Sequence, residues 1–275
     1  MKSKGLIAFF ALAFGYTWGL GALFLFVPSA RGILGPVNFG NPLVMSAVWS
    51  PSLAALLVSA LQGRKAFSTL MARLFHWRIA WYWYIGPVAL FAAMSLIAQL
   101  VSAKIFGTSL PSVALAQIPA LAGGALLAFV LDPGPLGEEL GWRGFALPRL
   151  QEHMNGLSAA LLLGTIWAIW HLPAFFIPGM PQTRLPIWTF FISVIAASVI
   201  ITFFVNKTGS VLPAILIHWS LNRFGGLGYP TALLTASVFV FVAVVFVSLT
   251  GTELGLRRES KRASPAVPEN LHAAS

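Results

Sequence analysis

Long apolar stretches, rather than any single motif, limit the folds that are open to this chain. A helix needs about 20 apolar residues to cross the roughly 30 Å hydrocarbon core of a bilayer. Eight stretches reach or approach that length between charged residues or Pro and Gly breaks: 5–28, 42–62, 79–103, 112–131, 156–177, 186–206, 210–227 and 229–250. Lipid offers no partners to backbone polar groups, so helices are the structures expected there. The sequence therefore predicts an all-α, polytopic membrane helix bundle with about eight transmembrane helices.

The basic residues predict how this bundle is oriented. The chain has 17 Lys and Arg against 7 Asp and Glu, a net charge of +10. Counted over alternate loops, thirteen basic residues fall on one side: Lys2, Lys4, Arg64, Lys65, Arg73, Arg78, Arg143, Arg149, Lys207, Arg257, Arg258, Lys261 and Arg262. The other side keeps Arg31, Lys104, Arg184 and Arg223. Because cytoplasmic loops retain Lys and Arg, both termini are expected in the cytoplasm of a cell (plasma) membrane protein, with no nucleic-acid partner.

Domain boundaries follow from the same pattern. Residues 1–252 form one predicted transmembrane domain, which would also hold any catalytic site. From 253 to 275 the chain mixes charges with Ala, Ser and Pro and has no apolar period, which predicts a disordered cytoplasmic tail. The chain has no cysteine, so disulfides, thiolate metal ligands and a cysteine nucleophile are excluded.

The acidic residues point to a reactive segment. The first 131 residues contain none, and four of the seven lie between Asp132 and Glu152. Glu139 and Arg143 are four residues apart, so on a helix they can form an ion pair, whereas Glu138 points about 100° away. Arg143 could thus hold Glu139 rigid while Glu138 acts on water as a general base. An ordinary cytoplasmic loop before a well-capped helix explains the same residues.

Three polar side chains in the later apolar stretches extend this hypothesis. His171, His218 and Asn222 stand where contact with lipid would be costly, and ionisable residues at such positions are functional candidates. His218 and Asn222 are four apart and share a helix face. The alternative is that each histidine merely makes a hydrogen bond between helices. For Glu138 to meet them, the segment after Pro135 must fold back into the membrane, or a cavity must dip in from the cytoplasm.

The inventory of residues excludes other intramembrane protease chemistries. Asp132 is the only aspartate, so an aspartyl pair is absent. None of the five histidines is followed by Glu, and no Gly-x-Ser-Gly occurs, which removes the His-Glu-x-x-His zinc site and a rhomboid-like serine. A glutamate and histidine system remains.

The chain resembles the CPBP family (CAAX protease and bacteriocin-processing, also called Abi), which includes the type II CAAX prenyl endopeptidases. The family pattern is Glu-Glu-x-x-x-Arg, then aromatic-x-x-x-His, then His-x-x-x-Asn, and this chain matches it in order with Glu138, Glu139, Arg143, Trp167, His171, His218 and Asn222. The resemblance covers a motif core of about 115–225. Trp167 is a departure, because the family usually has Phe there, and this change is expected to reshape the cavity wall.

The resemblance implies an intramembrane endopeptidase with a conical active-site cavity. It implies that Glu138 and His171 activate the hydrolytic water and that His218 and Asn222 bind the tetrahedral oxyanion. Burial away from bulk water is expected to raise the pKa of the Glu138 carboxyl, which suits a general base near neutral pH. The implied substrate is a peptide or protein that is associated with the membrane or prenylated.

Two other functions and a metal remain open alternatives. A transporter or proton relay could use the same Glu and His cluster, although the absence of evident repeat halves counts against it. An immunity or scaffold protein could keep the fold without catalysis. Zinc could bind at Glu138, His171 and His218, since catalytic zinc takes three protein ligands and water. Asn222, one turn beyond His218, suits an oxyanion hole better, so no cofactor is assigned.

Overall fold

The computed structural model describes residues 2–107, 132–224 and 232–256, and no strand occurs in these ranges. The predicted all-α polytopic bundle is confirmed over this part of the chain. Its α-helices are α1 Lys2–Phe26, α2 Pro28–Leu34, α3 Pro42–Val48, α4 Ser50–Leu61, α5 Arg64–Leu74, α6 Tyr82–Phe106, α7 Pro133–Glu139, α8 Leu147–Gln151, α9 Gly156–Trp170, α10 Ile187–Thr208, α11 Leu212–Phe224 and α12 Ala232–Thr250. A π-helical segment, Leu140–Ala146, joins α7 to α8, and short 3₁₀ turns at Leu172–Phe175 and Pro181–Arg184 follow α9.

Helices occupy seven of the eight predicted apolar stretches, and the fourth stretch, 112–131, lies outside the described residues. Within the described ranges, four helices are long and apolar enough to cross a membrane: most of α1, then α6, α10 and α12. The pair of α3 and α4, which bends by 62°, could form a fifth span. Helices α9 and α11 have 15 and 13 residues. The total of eight crossings therefore stays a prediction.

The segment after Asp132 is helical, whereas the charge count placed its residue Arg143 in a cytoplasmic loop. Helix α7, the π segment and α8 follow one another without a break from Pro133 to Gln151. The π segment is buried throughout, and Arg143 is 0% exposed. Assigning Arg143 to a cytoplasmic loop was wrong. Its charge is buried because Glu139, one turn earlier, lies beside it as an ion-pair partner.

Close backbone contact fixes this buried segment against α4. A Cβ added at Gly141 would lie 2.5 Å from the backbone of Pro51, a distance that real side chains do not reach. Ser52 Oγ donates to the carbonyl of Leu136 over 2.7 Å, on the same side of α7. Aromatic rings continue the packing, since Trp142 meets Phe9 of α1 edge to face at 5.5 Å between ring centroids. Glu138 and Glu139 are thereby held at a fixed place inside the bundle.

Candidate active site

Glu139 is the centre of a buried charged network. Its Oε1 atom accepts from Arg143 Nη1 and lies 2.9 Å from His218 Nδ1, and the Arg143 contact also measures 2.9 Å. Glu139 and Arg143 are fully buried, and His218 is 5% exposed. Since the carboxylate can only accept, Nδ1 of His218 donates to it. The network thus fixes the ring of His218 and leaves its Nε2 atom to face the site.

Arg143 is also held from its other side. Its guanidinium carbon lies 4.3 Å from the ring centroid of Trp167, a cation–π contact in a desolvated place. The Nε and Nη2 atoms of Arg143 and the Oε2 atom of Glu139 are buried and have no hydrogen-bond partner among the described residues. Arg143 therefore depends strongly on its bond to Glu139 and on its contact with Trp167.

Glu138 has different side-chain partners from Glu139, which agrees with the separate directions that the spacing predicted. Trp167 Nε1 donates to Glu138 Oε2 over 2.6 Å, and the same oxygen lies 3.9 Å from His171 Nε2. Glu138 is 4% exposed and lines a cavity, so its carboxylate can take up a proton from a water held there.

His171 ends α9, and its ring is held by its own helix. Its Nδ1 atom lies 2.9 Å from the carbonyl oxygen of Trp167. A carbonyl can only accept, so the proton of a neutral ring belongs on Nδ1 and the lone pair on Nε2 faces Glu138. One water can contact both Nε2 and Glu138 Oε2 at a separation of 3.9 Å.

His218 and Asn222 converge on the first turn of α7. A Cβ built at Gly134 would lie 3.1 Å from His218 Nε2 and 3.3 Å from Asn222 Nδ2, so both nitrogens approach one point beside the backbone. Only glycine leaves that space open. The two side chains from α11 can therefore contact the same small group.

Asp132 is a residue of this site that the sequence analysis did not assign to it. Its Oδ1 atom accepts from the backbone N–H of Gly134 over 3.1 Å and caps α7. Its Oδ2 atom accepts from Asn222 Nδ2 over 2.8 Å, which orients the amide and leaves its second N–H free to donate. The available signal was a lone aspartate directly before Pro-Gly, which is typical of a helix cap.

Two cavities meet at these side chains. The first, of about 550 Å³, is lined by Glu138, His171, His218 and Asn222 together with apolar residues of α1, α3 and the turns after α9. The second, of about 770 Å³, lies between α10, α11 and α12. His171, His218 and Asn222 line both, as do Pro181 and Gln182. A chain that passes from one cavity to the other would cross the polar cluster.

The six residues singled out from the sequence thus lie in one cluster, with Glu139 and Arg143 behind the cavity wall. Among the described residues, no group of three or more His, Asp and Glu side chains is arranged to hold a metal ion. The zinc hypothesis at Glu138, His171 and His218 gains no support from this geometry, because His218 Nδ1 is engaged by Glu139 and its Nε2 is directed toward Gly134.

Known proteins are similar in sequence to the part of the chain that holds this cluster. A family model described as type II CAAX prenyl endopeptidase Rce1-like matches residues 119–224. The curated CAAX prenyl protease 2 of the archaeon Methanococcus maripaludis is 36% identical over 92 residues, which are 31% of this chain and 34% of that protein. The chain therefore spans about a third of the length of this relative. Residues 119–224 of this chain are therefore similar to the type II CAAX prenyl endopeptidases.

Proposed function

We propose that this protein is an intramembrane endopeptidase that hydrolyses a peptide bond with a water activated by Glu138. The observation that carries the proposal is the pair formed by Glu138 Oε2 and His171 Nε2, 3.9 Å apart on the wall of a cavity. Donors from α11 line the same cavity. Base and oxyanion donors on facing walls are what acyl transfer to water requires.

The chemistry begins with proton transfer from water. Glu138 takes a proton while the water oxygen bonds to the carbonyl carbon of the substrate, and His171 Nε2 accepts the second hydrogen bond of that water. The carbonyl π electrons move to oxygen and form a tetrahedral oxyanion. Glu138 then gives its proton to the amide nitrogen, the C–N bond breaks, and an acid and an amine leave. No covalent enzyme intermediate is needed.

The oxyanion is stabilised by groups whose positions are fixed before substrate binds. The free N–H of Asn222 is aimed by Asp132, and His218 can donate from Nε2 when its ring carries both protons. The Glu139 carboxylate beside Nδ1 favours that doubly protonated ring. Arg143 in turn forms an ion pair with Glu139. Preorganised donors of this kind are worth about 2.7–4 kcal/mol each in other hydrolases.

The substrate is a peptide or protein associated with the bilayer. The first cavity has apolar walls away from the polar cluster, including Leu20, Phe24, Val44 and Ile177. Such walls suit an extended peptide with apolar side chains or a lipid chain attached to it. The relative from Methanococcus is named as a prenyl protease, so a prenylated peptide is one substrate to try.

The proposal is tested by cleavage of membrane peptides with purified protein. Mass spectrometry should find new termini with the native chain and none with Glu138→Gln, which keeps the size of the side chain but loses the base. Glu152→Gln is the matched control, since Glu152 is an exposed glutamate outside the cavities, and it should cleave normally. Equal cleavage by Glu138→Gln would refute the role of Glu138. A strong chelator, followed by added zinc, tests metal dependence in the same assay.

A further inference from the structure

The bundle has two distinct ends, and contacts between remote segments define them. At one end Arg149 Nη2 donates to Gln62 over 3.2 Å, and Gln151 donates to Asn206 over 3.0 Å. The backbone N–H of Leu157 donates to Thr252 near the end of the described chain over 2.7 Å. We call this the basic end. The end of α1, the turns after α9, the start of α10 and the end of α11 lie at the opposite end, where a Cβ at Gly21 would meet Pro173 at 2.8 Å.

Charge is distributed very unevenly between the two ends. The basic end holds, among described side chains, Lys4, Arg64, Lys65, Arg73, Arg78, Arg149 and Lys207. Lys104, Arg184 and Arg223 lie at helix ends or turns of the opposite end. Lys and Arg near membrane helices are retained in the cytoplasm. This asymmetry places the basic end in the cytoplasm and the opposite end outside.

Both cavities lie in the half of the bundle away from the basic end. The first is lined by the later part of α1 and the start of α3, and the second by the first halves of α10 and α12. None of the seven basic residues named above lines either cavity. Between the site and the basic end lie the fully buried side chains of Trp142, Phe145 and Leu147. The path to the site therefore opens at the opposite end, beside Gln182 and Arg184.

We propose that substrates reach this site from the extracytoplasmic face of the membrane. The inference rests on the proposed function for its chemistry, but the direction of access rests on the placement of charges and cavities alone. The substrate class is a peptide segment that is exposed at the outer face or anchored in the outer leaflet. A cytoplasmic peptide would meet the packed basic end instead of the cavities.

Cysteine labelling tests the direction of access, since the native chain has no cysteine. Thr183→Cys places a thiol on the exposed 3₁₀ turn between Gln182 and Arg184, and Ser68→Cys places one on the exposed face of α5 at the basic end. Both changes replace a hydroxyl by a thiol, so they are matched. With a membrane-impermeant maleimide on intact cells, Thr183→Cys should react and Ser68→Cys should react only after permeabilisation. The reverse pattern, or equal labelling of both variants, would overturn the proposal.

Cleavage in proteoliposomes tests access by substrate itself. The orientation of the inserted protein is scored by the labelled fraction of Thr183→Cys, and a cleavable, membrane-impermeant peptide is added outside. The rate of peptide cleavage should rise in proportion to the fraction of protein molecules that expose Thr183 on the outside of the liposome. A cleavage rate that instead follows the fraction that exposes Ser68 would contradict the proposal. If detergent-solubilised protein cleaves no peptide at all, the proposed function fails while the labelling still decides which face the cavities open to.

Discussion

At the scale of single residues, Trp167 links the parts of the site. Its indole N–H donates to Glu138, its ring lies against Arg143, and its carbonyl fixes the ring of His171. The sequence predicted the position of this residue on the site wall but not its bond to Glu138. That bond depends on the orientation of α9 relative to α7. Residue spacing within a single helix carries no information about this orientation. The Glu139–Arg143 pair was predictable because both partners lie on one helix.

Replacing Trp167 by Phe should separate these roles, because the ring remains while the donor is lost. A hydrogen bond to a charged group contributes about 1.5–3 kcal/mol, so we expect kcat to fall about 10- to 100-fold with little change in KM. Trp142→Phe is the control, since the Nε1 atom of Trp142 is buried and has no hydrogen-bond partner in the part of the chain that the structure describes. Equal kinetics of Trp167→Phe and native protein would mean that the bond to Glu138 has no catalytic role.

The pH dependence of cleavage should report on Glu138. A protonated carboxyl cannot accept a proton from water, so the base is active only when Glu138 is ionised. We expect kcat/KM to rise about tenfold per pH unit on the acid side of the profile and to level off once Glu138 is ionised. Measuring kcat/KM from pH 5 to 9 checks this, and a flat profile between pH 5 and 7 would argue against Glu138 as the base.

Arg143→Ala should harm stability as well as activity. It leaves the buried Glu139 carboxylate without its ion-pair partner, a loss that costs about 3–5 kcal/mol in buried pairs. Arg143→Lys should recover part of the loss, because an ammonium keeps the charge but lacks the planar guanidinium that lies over Trp167. Thermal unfolding in detergent measures both variants, with the exposed Arg64→Ala as control. Unchanged melting of Arg143→Ala would show that the pair is not needed for folding.

At the scale of elements, the continuous helical stretch Pro133–Gln151 carries both glutamates into the bundle. Its start was predictable from Asp132, Pro133 and the glycines that follow. Its burial was not, because charged residues and glycines within 132–152 give it the composition of a loop. Tertiary contacts explain this burial, since Glu139 meets Arg143 and His218 and Gly141 meets the backbone of α4. The bent pair of α3 and α4 provides the other side of that contact.

Gly141→Ala tests how tightly the π segment must approach α4. The new methyl group would lie 2.5 Å from the backbone of Pro51, which cannot move aside as a side-chain tip can. Overpacking of this kind typically costs about 1–3 kcal/mol, so the melting temperature should fall and activity should decline as Glu138 is displaced. Gly86→Ala in α6 is the matched control, because a Cβ there meets no atom within 4 Å. Similar melting of the two variants would show that the contact with α4 is loose.

At the scale of the whole molecule, the first and last described residues lie at the basic end. A Cβ at Gly5 of α1 would meet the side chain of Gln62, and Leu157 pairs with Thr252 at the same end. This placement is what an even number of crossings would give, and the total of eight crossings stays a prediction. The predicted fourth stretch, 112–131, lies outside the described residues. The helical stretch Pro133–Gln151 takes the chain from Asp132 back to the basic end.

An even number of membrane crossings predicts that cysteines near the two termini are labelled from the same side of the membrane. Ser3→Cys and Ser260→Cys each add the only thiol to the chain. If the basic end is cytoplasmic, both thiols should be protected from an impermeant maleimide in intact cells and react after permeabilisation. Labelling of one terminus from outside would require an odd number of crossings and contradict the contacts that bring both ends of the chain together. Labelling of both thiols from outside would agree with an even number of crossings but would reverse the orientation. The distribution of Lys and Arg would then fail to predict the cytoplasmic side of this protein.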